Sequence, residues 1–311
     1  DYTIPTYASQ DANDLNNYLI SSKFIILNYN IRGIRKHFDE FSLLLHTLSF
    51  QPAVIALTET QLGSDIPYRL QDYSTHHFLT KRTTHDSLSV YVHRDVGNYS
   101  ITPLKFESCN AAELNLEIRG KTFSLLIVYR SPSLNPKHFI SDLNLYFTNP
   151  KKFDYSFILG DINIEIHHTN NIGDSYLDVL LEKGYSSGIN LPTRFESKKP
   201  ACLDHVFFKS SHHDEIRGAT LNYHSADHLP VFLELDFSLD TSESNHPNKI
   251  KKEIDYIKLV QSLSSETWLS VIGQASASEA LDSFYDIFHH HINENTHSTQ
   301  IRSKTRKIKP W

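Results

Sequence analysis

Methionine is missing from this 311-residue chain, cysteine occurs only twice, and no apolar run approaches the ~20 residues needed to cross a bilayer. Each scarcity excludes something. Cys109 and Cys202 belong to no CxxC or Cys/His spacing, so a disulfide scaffold and a structural zinc site are not expected, and a reducing compartment is the default. Residues 1–17 are polar, with no apolar segment after basic residues, so no cleavable signal and no secretion are expected. The absence of methionine even at position 1 points to a piece of a longer polyprotein, although an engineered start would leave the same mark. Basic residues are also in deficit, 30 against 36 acidic, for a net charge of −6. That counts against a passive nucleic-acid binder, which is usually basic. It does not count against a nuclease, because a site holding Mg²⁺ must concentrate carboxylates.

What is present suits a folded protein: hydrophobic residues make up 39% and aromatics 12%, and the length allows one large domain or two modest ones. Short apolar β-prone runs occur at 24–29 (FIILNY) and 53–57, with further strands predicted at 89–93, 114–118, 123–129, 156–159, 203–208 and 231–237. Helical spacing of Ile34, Phe38, Phe41, Leu45 and Leu48 predicts an amphipathic helix, and others are predicted at 136–147 and 175–183. The mixture indicates an α/β protein, with two packed sheets and helices outside as one consistent layering. Residues 1–22 read as an N-terminal extension, 23–238 as the main domain and 239–250 as a polar linker. Residues 251–311 read as a helical segment with a basic tail (Arg302, Lys304, Arg306, Lys307, Lys309).

Polar residues stand at the ends of these apolar runs. FIILNY leads into Asn30-Ile31-Arg32-Gly33, AVIAL into Thr58-Glu59-Thr60, FSLLIV into Tyr129-Arg130-Ser131-Pro132, and SFIL into Gly160-Asp161-Ile162-Asn163. Leu203-Asp204-His205-Val206 opens a strand, and Ala226-Asp227-His228-Leu229-Pro230 precedes another. Strand ends let a rigid sheet hold side chains around a cleft. The residue types match phosphodiester hydrolysis: hard oxygen ligands for Mg²⁺, and a His beside an Asp as a charge partner for phosphate.

The ordered series NIRG, TET, YRSP, GDIN, LDHVF and ADHLP resembles the exonuclease–endonuclease–phosphatase superfamily. It is most similar to the apurinic-like endonuclease of non-LTR retrotransposons, through LTETQL, VYRSP, LPTRF and YHSADHLPVF, over about residues 23–237. The resemblance implies a four-layered sandwich of two packed β-sheets flanked by helices, followed by a helical C-terminal linker. It implies Glu59 as principal metal ligand, assisted by Asn30, with Asp227 supporting the metal site. Asp161 would orient or deprotonate the attacking water, and Asn163 would hold Asp161 and the scissile phosphate. His228 would contact a non-bridging oxygen, Asp204 would orient its imidazole, and Tyr129 would bond the phosphate or help the leaving group. Arg130 and Arg194 are candidate DNA-phosphate contacts. The cofactor implied is Mg²⁺, with Mn²⁺ as substitute, and the partner is double-stranded DNA, with no membrane. The activity implied is nicking of target DNA to leave a 3′-hydroxyl and 5′-phosphate that prime reverse transcription, by a polymerase in the same full-length polypeptide. Synthesis would be cytoplasmic and action nuclear.

Bland readings stand beside these. Asn30 alone fits a turn after a strand, Gly160-Asp161 an ordinary turn, Asp204 a strand start, and Tyr129 half-buried packing. His167-His168, His212-His213 and His289–His291 lie outside the series and read as solvated loops or helix ends. Two departures from the family stand out. Thr84-His85-Asp86-Ser87-Leu88 replaces a glycine-rich turn, which puts DNA placement in question. Ala226 replaces a serine, with Ser225 one position earlier, which threatens a hydrogen bond. A phosphatase or phosphodiesterase of the same superfamily, or a decayed DNA-binding or scaffold module, are the competing readings.

Overall fold

A strand buried on both faces needs cover on both sides, and several strands here are of that kind. The computed structural model describes residues 4–20, 23–64, 68–80, 84–149, 152–195, 199–210, 216–223, 225–238 and 249–301. Expectations for residues 239–248 of the linker, His212-His213, His224 and the basic tail beyond Ile301 lie outside the described residues. The first strands in chain order are β1 (Thr6–Ser9), β2 (Lys23–Asn30), β3 (Val54–Thr58), β4 (Tyr73–Phe78), β5 (Leu88–His93) and β6 (Tyr99–Leu104). There follow β7 (Asn110–Ile118), β8 (Lys121–Tyr129), β9 (Tyr155–Asp161), β10 (Ser186–Ser187), β11 (Asp204–Ser210), β12 (Ile216–Leu221) and β13 (Val231–Ser238). They form a seven-stranded sheet ordered β1-β12-β13-β2-β3-β5-β4 and a six-stranded sheet ordered β10-β11-β9-β8-β7-β6. Both are mixed: β2 pairs with β3 in parallel and with β13 antiparallel, and β9 pairs with β8 in parallel and with β11 antiparallel.

Side-chain alternation sorts the layers. From β2, Phe24 and Ile26 enter the core between the sheets, while Ile25, Leu27 and Tyr29 join an outer core. From β8 and β9, Phe123, Leu125, Ile127, Tyr155, Phe157 and Leu159 enter the inter-sheet core. Leu126, Val128 and Ile158 face the opposite way. The outer core of the seven-stranded sheet holds Leu15 of α1 (Ala12–Tyr18) and Ile34, Phe38 and Phe41 of α2 (Ile34–Thr47). The other sheet is covered through Phe139 and Leu143 of α3 (Pro136–Tyr146) and Tyr176 and Leu180 of α4 (Asn171–Glu182). The result is the layered α/β sandwich that the motif series implied.

The C-terminal segment is more than helices. A two-stranded ribbon, β14 (Lys249–Ile254) with β15 (Thr296–Ile301), brackets α5 (Tyr256–Ser265), α6 (Leu269–Ile272) and α7 (Ala277–Glu294). Tyr285 of α7 belongs to the outer core of the seven-stranded sheet and meets Phe38 edge-on at 5.3 Å between ring centroids. Residues 6–9, read from sequence as part of an extension, are the edge strand paired in parallel with β12. Among the described residues, no helix is long and apolar enough to cross a membrane.

Candidate active site

The apolar inter-sheet rows end in polar residues at one common edge. Continuing the alternation puts Tyr129 one step after Leu125 and Ile127, Asp161 one step after Phe157 and Leu159, and Asn30 two steps after Ile26, all on the face toward the other sheet. The ladders fix their levels: Asn30 pairs with Thr58, Tyr129 with Asp161, and Asp161 with Asp204. Gly160 lets β8 and β9 close up here. A Cβ on it would lie 1.7 Å from the Val128 carbonyl oxygen, and its φ of 141° excludes most side chains as well.

The sheets are joined across this edge by hydrogen bonds. The Asn30 Nδ2 donates to Asp161 Oδ2 at 2.8 Å and to Glu59 Oε2 at 2.9 Å. The Asn30 Oδ1 accepts the Arg32 backbone N–H at 3.0 Å. Asp161 Oδ1 accepts the Asn163 backbone N–H at 3.1 Å. Arg32, Glu59 and Asn163 all hold left-handed backbone conformations, with φ of 48°, 52° and 53°. Such non-glycine positions cost energy and persist only where their surroundings hold them. Glu59 is held by its neighbour: the Thr60 N–H donates to the Ser87 carbonyl at 3.0 Å, and the Thr60 and Ser87 hydroxyls bond at 2.8 Å. The Thr84–Leu88 segment therefore braces the Glu59 turn through Ser87.

Beside Asp161, His228 Nδ1 bonds Asp204 Oδ2 at 2.6 Å, both side chains buried. Burial opposes the imidazolium, but the Asp204 carboxylate outweighs it and lifts His228 to about 9. Burial, then the Asp204 carboxylate, pushes the Asp161 carboxyl well above its ordinary range. Burial, then the Glu59 and Asp161 carboxylates, pushes the Tyr129 phenol far above its ordinary value, so it is a neutral donor. Ser225 bonds the Tyr29 hydroxyl at 2.6 Å, which restores a tether where Ala226 lacks one.

Asp161, Asp204 and His228 offer ligand atoms all within 4.8 Å of one another, a buried cluster suited to a divalent metal. Asp204 Oδ1 is buried without a hydrogen-bond partner among the described residues, a deficit that a cation or water would satisfy. The donor set, mostly carboxylate oxygen, fits Mg²⁺ or Mn²⁺. His228 Nδ1 is committed to Asp204, so the carboxylate oxygens are the ligands best suited to a hard cation. Of the three ligands expected from sequence, Glu59 reaches the cluster through Asn30, whose Nδ2 is shared between the Glu59 and Asp161 carboxylates. Asn30 turns its nitrogen, not its oxygen, toward the carboxylates, and Asp227 is engaged by Arg32 and by Arg194 Nε, the latter at 2.8 Å.

Arg130 differs from its expected role at the DNA surface. Its side chain is buried and donates to the carbonyls of Ile162 and Asn163 at 2.6 Å, Ser131 at 3.1 Å, and Leu134. Asn163 Nδ2 returns a bond to the Arg130 carbonyl at 2.9 Å. Arg130 thus clamps the loop after β9 that carries Asn163, and its guanidinium is spent on backbone rather than offered to phosphate. Sequence reading overlooked Arg32, Thr60 and Ser87. Arg32 and Thr60 lay inside quoted motifs, and Ser87 lay inside the Thr84–Leu88 segment noted only as a departure. His289, read as solvated, is buried on α7 against Tyr285.

No protein-family model and no curated protein matches the sequence. Solved structures do share the fold. An endonuclease/exonuclease/phosphatase family protein from Leptotrichia buccalis superposes with a TM-score of 0.51 at 13% identity, covering 69% of this chain and 100% of that one. The endonuclease domain of TRAS1, a telomere-specific non-LTR retrotransposon, gives 0.51 at 12%, covering 68% and 98%. D. rerio TDP2 complexed with a single-strand DNA product gives 0.52 at 14%, covering 70% and 100%. At these identities the shared property is the fold alone, a layered α/β sandwich.

Proposed function

We propose that this chain is a divalent-metal-dependent phosphodiester hydrolase that nicks double-stranded DNA, the endonuclease of a non-LTR retrotransposon. The observation that carries it is the bridge from Glu59 through Asn30 to Asp161, set beside the Asp204–His228 pair at one edge of both sheets. Glu59 would hold the ion, with Asp161 at its side. When bound, the ion supplies polarisation of the phosphoryl group and neutralises developing charge. Asp161 orients the attacking water and takes its proton; a carboxyl raised by burial is a better acceptor than a surface one. The Asn163 N–H keeps that carboxylate in place. The cationic His228 presents charge to a non-bridging phosphate oxygen, with Asp204 fixing its ring. Tyr129 donates a hydrogen bond at the same edge. In-line attack leaves a 3′-hydroxyl and a 5′-phosphate.

Support for DNA comes from the motif phrases and from two proteins sharing the fold, one a retrotransposon endonuclease domain and one complexed with a single-strand DNA product. On this reading the enzyme acts in the nucleus, beside a reverse transcriptase of the same polypeptide. The test is nicking of supercoiled plasmid with Mg²⁺. Glu59→Ala and His228→Ala should each lose roughly 10²-fold or more in rate, the scale for removing a transition-state charge partner. Equal nicking by wild type and both variants would refute it, and phosphate release from small esters without nicking would move the substrate away from DNA.

A further inference from the structure

Asp227 sits one residue before His228, yet its carboxylate is shared between two guanidiniums. Arg32 Nη1 forms an ion pair with Oδ1, and Arg194 Nε donates a hydrogen bond to Oδ2 at 2.8 Å. We propose that Arg32, Asp227 and Arg194 form a preassembled anion clamp that takes one backbone phosphate of duplex DNA next to the reacting group, with Asp227 as its strut and not a metal ligand. The choice of DNA rests on the hydrolase reading above.

Charge comes first. Two guanidiniums converge on one carboxylate, in a chain whose overall balance is −6. Exposure follows the same logic: the Asp227 side chain is 10% exposed, those of Arg32 and Arg194 41% and 31%. The negative group is covered and the positive groups face outward. A divalent cation approaching Asp227 would meet both guanidiniums, whereas a phosphate would meet their planar forks, which suit bidentate binding of its oxygens.

The clamp is also wired to the site through the backbone. Arg32 lies two residues past Asn30, in a left-handed conformation with its N–H on the Asn30 side chain. Arg194 forms antiparallel bridges to Ala201 and His228, and the adjoining Phe195 N–H donates to the Asp227 carbonyl at 3.3 Å. Both arginines are thereby positioned relative to the groups proposed to act on the scissile phosphate. A second phosphate held there would set the register of the strand.

The test is binding of a short DNA duplex without metal, in EDTA, followed by fluorescence anisotropy across a salt series. Arg32→Gln and Arg194→Gln should each weaken binding about tenfold and flatten the slope of log K against log salt by about 0.9, the contribution of one phosphate contact. A merely structural ion pair would lower thermal stability and leave that slope alone. Calorimetry with Mn²⁺ alone supplies the second readout: Asp227→Asn should keep its metal affinity within about twofold, against loss in Glu59→Gln. Unchanged slopes in both arginine variants, or loss of Mn²⁺ binding in Asp227→Asn, would overturn the clamp, as would a wild type that fails to bind duplex in EDTA. Failure of the wild type to nick plasmid refutes the hydrolase reading by itself, because the clamp is read without cleavage.

Discussion

At the scale of single residues, burial decides what residue type leaves open. An arginine in YRSP suggests a phosphate contact, but Arg130 is buried and clamps four carbonyls, because Ser131 and Leu134 after β8 and Ile162 and Asn163 after β9 lie beyond the strand ladders. Arg130→Lys should therefore destabilise the fold by roughly 2–4 kcal/mol, measured by urea denaturation, since a lysine cannot reach all of those acceptors from one plane. His228 shows the reverse case, where the pair was legible in sequence as Asp204 and Asp-His but its charge state was not. Its folded value of about 9 lies above its ordinary 6.5, so the pair stabilises the protein fully below about pH 6.5 and loses that contribution as pH rises through about 9. The shift corresponds to something on the order of 3 kcal/mol. His228→Gln should flatten the fall in unfolding free energy across that window. Asp204→Asn should leave burial dominant, giving a neutral imidazole at pH 7.5 by NMR; an imidazolium persisting there would contradict the assignment of the shift to Asp204.

At the scale of elements, the strands that carry the site were legible because they are buried on at least one face and carry a continuous apolar run. β2, β3, β8, β9, β11 and β13 lie close to their predicted positions, and the change from apolar to polar at their ends marks the edge that carries the candidate site. The strands β1, β4, β6 and β12 were not read from sequence. β1, β4 and β6 lie at sheet edges and are short or largely exposed, so alternation is weak, and β12 carries Gly218 within a six-residue run. The Thr84–Leu88 segment, expected to affect DNA placement, reaches the Glu59 turn through Ser87. The closest strand contact makes a sharp prediction. Gly160→Ala would drive its methyl into the Val128 carbonyl, prising β8 from β9 just before Asp161. A loss of at least about 3 kcal/mol in unfolding free energy is expected, of the size seen for backbone strain in a core. Stability within about 0.5 kcal/mol of wild type would contradict so close an approach of the two strands.

At the scale of the whole molecule, the layering was readable from alternating burial, while the attachment of the C-terminal helices was not. Residues 251–311 read only as a helical segment with a basic tail, but Tyr285 of α7 fills the outer core beside Phe38 and Tyr68. Tyr285→Ala should cost roughly 3–5 kcal/mol and lower the melting temperature of the whole transition; a separate early melt of the helices alone would contradict this coupling. The central claim is that two sheets deliver carboxylates to one metal-binding edge. Anomalous diffraction from crystals soaked in Mn²⁺ tests that most directly. The expected result is a peak at bonding distance from the Glu59 carboxylate and beside Asp161; a peak at Asp227, or none near Glu59, would contradict it.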